Sequence, residues 1–159
     1  MTIDGIDISP KMIQLGKIRL KKYLRSITFL ERDIKHLTTP KKKYDACIAV
    51  LCVHHLNTQQ KRILFKKIFK NLKSDGVFVI GDIIKFDSIK ETKRMEKRWK
   101  IFLIKNLGKN EGEYWFKNYK EEDIPSSIPK QLQWLKKAGF RKTELIWQHM
   151  NYAVICGKK

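Results

Sequence analysis

The chain has 159 residues, a length that suits one domain with a core of ordinary size. Lys and Arg outnumber Asp and Glu by 35 to 16, for a formal net charge of +19; such a surplus sets up a positive field but identifies neither a nucleic acid nor an anionic membrane as partner. Three cysteines lie at 47, 52 and 156 in apolar runs with no Cys-x-x-Cys pair, which fits reduced thiols in a cytoplasmic protein better than a disulfide framework and gives no metal-site spacing.

No apolar run approaches the roughly 20 residues that a membrane span needs. The polar start Met1-Thr2-Ile3-Asp4 lacks the basic and hydrophobic regions of an export signal. A cytoplasmic location is the expectation.

Gly5-Ile6-Asp7-Ile8-Ser9 opens the chain as a short apolar strand carrying a carboxylate. In an open α/β sheet, an acidic residue at the carboxyl end of the second strand grips ribose hydroxyls, and an earlier strand brings a glycine-rich turn to the ligand's charged end. Here Met1 to Asp4 alone precede it, so the chain reads as a nucleotide-type cofactor domain that starts one βα unit late. Ser9-Pro10 then pairs a capping residue with a proline suited to a first helical turn. The amphipathic pattern of Met12, Leu15, Ile18 and Leu20 predicts a helix to about Leu24.

Ile27 to Leu30 reads as a strand leading to Glu31-Arg32-Asp33, and Thr38 to Lys43 as a polar connection with turn chemistry. The apolar run Tyr44 to Val53 suits a central strand covered on both faces. Asn57 caps a helix striped by Ile63, Leu64, Ile68 and Leu72. Ser74-Asp75-Gly76 turns the chain into a buried strand, Val77 to Ile80, ending at Gly81-Asp82. Asp87 to Leu107 predicts a charged amphipathic helix. Gly108 to Pro129, with Tyr114, Trp115, Phe116 and Tyr119 among acids, is the least regular stretch. Pro129 opens a last helix that Gly139 closes. Arg141 to Trp147 and Tyr152 to Cys156, joined by a short link, predict an antiparallel pair.

Alternating strands and helices predict parallel βαβ units in a doubly wound sheet. With these elements in order, the chain resembles the class I S-adenosylmethionine-dependent methyltransferases from their second strand to their end. The phrases that carry the resemblance are Gly5 to Met12, Asp33-Ile34, Tyr44 to Ala49, His54-His55-Leu56, Leu72 to Ile80 and Trp134 to Phe140. It implies an α/β, Rossmann-like methyltransferase sheet, mostly parallel with a C-terminal antiparallel hairpin. Residues 1–159 would form a single methyltransferase-like domain, truncated at the N-terminus, with about 87–128 as a substrate-lid insertion.

The resemblance implies S-adenosylmethionine as cofactor, with Asp7, Ile8, Met12, Asp33, Ile34, Val50 and Leu51 as its binding residues. Asp7 would accept from both ribose hydroxyls, and Met12 would lie against the adenine. Asp33 and the Ile34 amide would read the base edge, and Val50 and Leu51 would approach the sulfonium and amino-acid part. Each position has a structural alternative: helix capping for Asp7, loop polarity for Asp33 and core packing for Met12. Asp45 is read as setting a strand entrance. His54 and His55 are read as shaping the loop after the strand rather than as general bases, since positioning suffices for a reactive nucleophile. No catalytic residue is assigned, and no metal.

The expected reaction is methyl transfer to an unidentified small molecule or RNA, from a partial domain that is inactive alone if the missing turn is essential. A noncatalytic methyltransferase-like binding or interaction module is the alternative. Self-association through exposed sheet edges is a further expectation. Trp99 and Phe102 are read as core, and Trp115, Phe116 and Tyr119 as lid residues.

Overall fold

The first apolar run pairs as strand β1 (Ile3–Asp7), ending two residues before Ser9. Ser9 is instead taken by the helix that follows: its Oγ accepts the Met12 amide at 3.3 Å, and Pro10 fills the first turn of α1 (Pro10–Arg19). The helix stops short of Leu24, because the chain tightens into 3₁₀ winding over Lys21–Ser26 and swings into β2 (Ile27–Glu31). β1 and β2 pair in parallel, from Ile3 opposite Ile27 to Asp7 opposite Glu31. This computed structural model describes residues 1–38 and 43–159, so most of the turn expected at Thr38 to Lys43 lies outside the described residues.

The chain divides into two compact units, Met1–Thr38 and Thr39–Lys159. In the second, β3 (Tyr44–Val50) pairs in parallel with β4 (Leu72–Ile83). β4 also pairs antiparallel with β6 (Tyr152–Lys158), whose far edge takes β5 (Lys142–His149), for a strand order β3-β4-β6-β5. The expected terminal hairpin is therefore present. The turn residues Ser74 to Gly76 lie within β4, where Asp75 adopts a φ of +62° and the β3 register shifts between Tyr44 and Ala46.

Helix α2 (Thr58–Asn71) begins at a capping box: the Asn57 side chain accepts the Gln60 amide and Gln60 accepts the Asn57 amide, both at 2.9 Å. Phe65 of α2 meets Phe78 of β4 edge-on at 5.7 Å between ring centroids, and Phe69 meets Phe140 at 5.2 Å. Phe65, Phe78, Leu135 and Ile155 are fully buried and form the centre of this core.

β3 departs from expectation. It ends at Val50, and Ile48 and Val50 stand 69% and 63% exposed, so one face of the strand is open. The reason is where the helices pack: α2 lies against β4, and the long helix after β4 packs on the helix that follows it. The helix opened by Pro129 spans Ile128–Ala138 and packs on α2, β5 and β6.

The stretch after Asp87 is more regular than its sequence suggests. Ser88 caps α3 (Ile89–Leu107), Gly108 turns the chain at a φ of +84°, and Lys109–Glu122 forms α4. The two helices approach so closely at Gly112 that a Cβ there would sit 2.6 Å from the Ile104 backbone nitrogen. That contact explains the glycine. The Ile128–Ala138 helix is α5 and ends at Gly139 with a φ of +117°.

Trp99, Leu103 and Tyr119 from the α3–α4 pair form one buried cluster with Ile83, against which Phe116 and Tyr152 pack. Trp99 is core as expected. Phe116 and Tyr119 prove to be core as well, because positions 112, 116 and 119 share one helical face. Phe102 is exposed, and so is Trp115, whose indole N–H donates to Glu111 at 3.3 Å.

Candidate functional site

In the first unit the family-type cofactor positions gather at the carboxyl ends of β1 and β2. Asp7 closes β1, and its Oδ1 accepts the Ser9 amide at 2.8 Å. Ser9 performs the capping, so the carboxylate is spared that duty, and its two oxygens offer more acceptor sites than this one bond uses. Ile8 is exposed just beyond the strand, and Met12, on the first turn of α1, is 54% exposed and so is not a core residue. Asp33 accepts the Lys35 amide at 2.8 Å and caps the 3₁₀ turn Ile34–His36, which places Ile34 directly after it.

In the second unit Val50 ends β3 and Leu51 follows with a φ of +49°, its amide donating to Gly81 at 2.9 Å. A leucine held in the left-handed region costs on the order of 1–2 kcal/mol. Strain of this kind collects where a loop is shaped to meet a ligand. Cys52 and a 3₁₀ turn over Val53–His55 come next.

Here sequence reasoning missed a buried polar cluster. His54 is buried, its amide donates to Asp82 Oδ2 at 2.9 Å, and its ring Nδ1 bonds Asp82 Oδ1. Its other ring nitrogen, Nε2, faces Asp123 Oδ1 at 3.6 Å, and His55 Nδ1 lies 3.2 Å from the same oxygen. Burial pushes the Asp123 carboxyl upward from its usual range, and the two histidines oppose that shift. Lys61, also buried, donates to the Ile124 carbonyl and to Ser126 Oγ at 3.0 Å, and burial brings its ammonium down to about 8. The reading of His54 as a residue that shapes this loop agrees with its contacts. Asp82 was visible only as a strand end and Asp123 only as one of three consecutive acids.

Asp45 is exposed at the start of β3 and pairs with Lys73 at 2.9 Å. Among the described residues no helix is long and apolar enough to cross a membrane.

Comparison with known proteins concerns the family and the fold. A methyltransferase-domain family model matches residues 1–76. The chain is 27% identical over 157 residues to the carboxy-S-adenosyl-L-methionine synthase of Nautilia profundicola, covering 98% of this chain and 66% of that one. It is 24% identical to the synthase of the same name from Helicobacter pylori strain G27, covering 98% and 64%. The chain thus spans just under two thirds of the length of these relatives. Among solved structures it is similar in fold to the N-methyltransferase NodS of Bradyrhizobium japonicum bound to S-adenosyl-L-homocysteine, with a TM-score of 0.64 at 13% identity over 99% of this chain and 66% of that one.

Proposed function

We propose that the chain, whose first 76 residues match a methyltransferase-domain model and whose fold is similar to that of a solved methyltransferase, acts as a class I S-adenosylmethionine-dependent enzyme, with Asp7 as its ribose-binding carboxylate and a reaction centred on the sulfonium methyl group. The observation that carries this reading is the position of Asp7. It ends a parallel strand and stands before a helix already capped by Ser9. Ile8 and Met12 would flank the nucleoside, and Asp33 and Ile34 would meet the adenine edge. Val50 and the strained Leu51 are assigned to the methionine end.

Two reactions start from a sulfonium methyl group. In one, an acceptor atom displaces the sulfur in line, the S–CH₃ bond breaks and S-adenosylhomocysteine leaves. In the other, the methyl group stays on sulfur and loses a proton to a base, and its carbon bonds to the carboxyl carbon released from a second, carboxylate-donating small-molecule substrate, whose C–C bond to that carboxyl group breaks. Kinship over nearly the whole chain with proteins named carboxy-S-adenosyl-L-methionine synthase favours the second, and with it a small-molecule substrate over RNA. The chain's own part in either reaction is to bind and align, which is where such sites gain rate.

The test is to incubate the protein with methyl-labelled S-adenosylmethionine and a cell extract of small molecules, and to follow the label by mass spectrometry. Label in a carboxylated S-adenosylmethionine supports the proposal. Label in a methylated acceptor, accompanied by S-adenosylhomocysteine, replaces the carboxylation reading with methyl transfer. Asp7→Ala is expected to weaken S-adenosylhomocysteine binding by about 1.5–3 kcal/mol, the worth of hydrogen bonds to a charged group.

A further inference from the structure

We propose that His54, His55 and Asp123 bind one divalent transition-metal cation, with zinc the representative ion. The donor atoms are His54 Nε2, His55 Nδ1 and Asp123 Oδ1, which all lie within 4.8 Å of one another. Tetrahedral zinc holds nitrogen and oxygen ligands at about 2.0–2.1 Å, which sets those ligands about 3.3 Å apart. The separations of 3.6 and 3.2 Å from Asp123 Oδ1 to the two histidine nitrogens bracket that value.

Two independent features point to a cation rather than to a closed hydrogen-bond network. The first is the Asp123 carboxylate. Its side chain is 5% exposed, and its Oδ1, aimed at both rings, accepts no hydrogen bond. A buried acceptor left without a hydrogen bond is unfavourable, and more so when it is charged. The second is Asp82. It engages His54 Nδ1, and in the neutral tautomer that carries its proton on that nitrogen the Nε2 lone pair points at Asp123 Oδ1. Two acceptors facing each other across 3.6 Å repel, and a cation between them removes the conflict. A carboxylate behind a histidine in this manner is the outer-shell arrangement that orients metal-bound imidazoles.

The charge around the cluster is also suited to a cation. Asp82 is buried and the side chain of Asp123 is largely covered, and the nearby Lys61 ammonium is held by the Ile124 carbonyl and Ser126 Oγ instead of by either carboxylate. His55 is half exposed, so the site opens to solvent on that side and leaves a fourth position for water or a ligand. Nitrogen and oxygen donors of this kind suit zinc, iron(II), cobalt(II) or nickel(II) better than magnesium or calcium. The site is independent of the carboxylation reading and of Asp7.

The experiment is calorimetric titration of the chelator-stripped protein with zinc chloride, alongside cobalt(II) absorption spectroscopy. One saturable equivalent is expected, with an intense low-symmetry cobalt spectrum. His55→Ala, an exposed position whose loss leaves the core intact, and Asp123→Asn should each weaken binding. Asp82→Asn should weaken it by about 10- to 100-fold, as the loss of an outer-shell partner does. Circular dichroism confirms that each variant is folded. Absence of saturable zinc uptake overturns the proposal, and so does uptake of equal affinity in folded His55→Ala and Asp123→Asn, which would assign the metal to other ligands such as Cys47 or Cys52.

Discussion

The two units of the chain answer the same problem, burying apolar surface, to very different degrees. Among the described residues, Ile13 is the one buried apolar side chain of Met1–Thr38, whereas Thr39–Lys159 holds a continuous core from Phe65 and Phe78 to Leu135 and Ile155. A parallel pair of strands with one helix has too few layers to exclude water, and three or more strands with a covered face are needed for independent stability. Ile3, Ile8, Met12, Leu15, Ile18, Leu20, Tyr23 and Leu24 are all exposed in the first unit. Yet that unit carries Asp7 and Asp33, the positions assigned to the nucleoside. The weakly packed part of the molecule is the part proposed to recognise ligand, as expected when binding elements are drawn from the low end of local stability.

This contrast can be broken by mutation. Phe65→Ala removes a ring with no exposure and is expected to cost about 3–5 kcal/mol in denaturant unfolding. Gly112→Ala forces a methyl group against the Ile104 backbone and is expected to cost about 1–3 kcal/mol, with α3 and α4 pushed apart. Ile18→Ala, in the first unit, should stay within about 0.5 kcal/mol of wild type. A large loss at Ile18 would show that α1 is packed in solution and would erase the contrast.

A smaller effect concerns pH. Burial holds Lys61 at about 8, below the ordinary lysine value of 10.5, so between those values the unfolded chain binds more protons than the folded one. Stability should therefore rise with pH across that window. Lys61→Met should flatten the rise, and an unchanged slope in thermal melts at stepped pH would remove Lys61 as its source.

Much of the architecture was legible in the sequence because it rests on local signals. Ser9-Pro10, Asn57 with Gln60, and Gly139 mark helix ends by chemistry confined to a few neighbouring residues, and the terminal hairpin follows from its short link. What failed depends on neighbours far along the chain. The run Tyr44 to Val53 has the composition of a strand buried on both faces, but burial is decided by where helices pack, and Ile48 and Val50 are exposed. Gly108 to Pro129 reads as irregular because aromatics and acids are mixed along it, whereas Lys109–Glu122 is a helix whose Gly112 serves a close helix crossing. The positions Asp7, Asp33 and Val50 could be placed from sequence order. The cluster of His54, Asp82 and Asp123 could not, since three residues scattered over two loops and a strand share no spacing signal until the fold joins them.

The most direct test of the central claim, that the first unit recognises the nucleoside through Asp7, is amide hydrogen exchange with and without S-adenosylhomocysteine in wild type and Asp7→Ala. The account predicts fast exchange across Met1–Thr38 without ligand, marked slowing around Asp7 to Met12 and Asp33 to His36 with it, and loss of that slowing in Asp7→Ala. Slowing in the first unit that is equally strong in Asp7→Ala, or ligand binding with no change there at all, would contradict it.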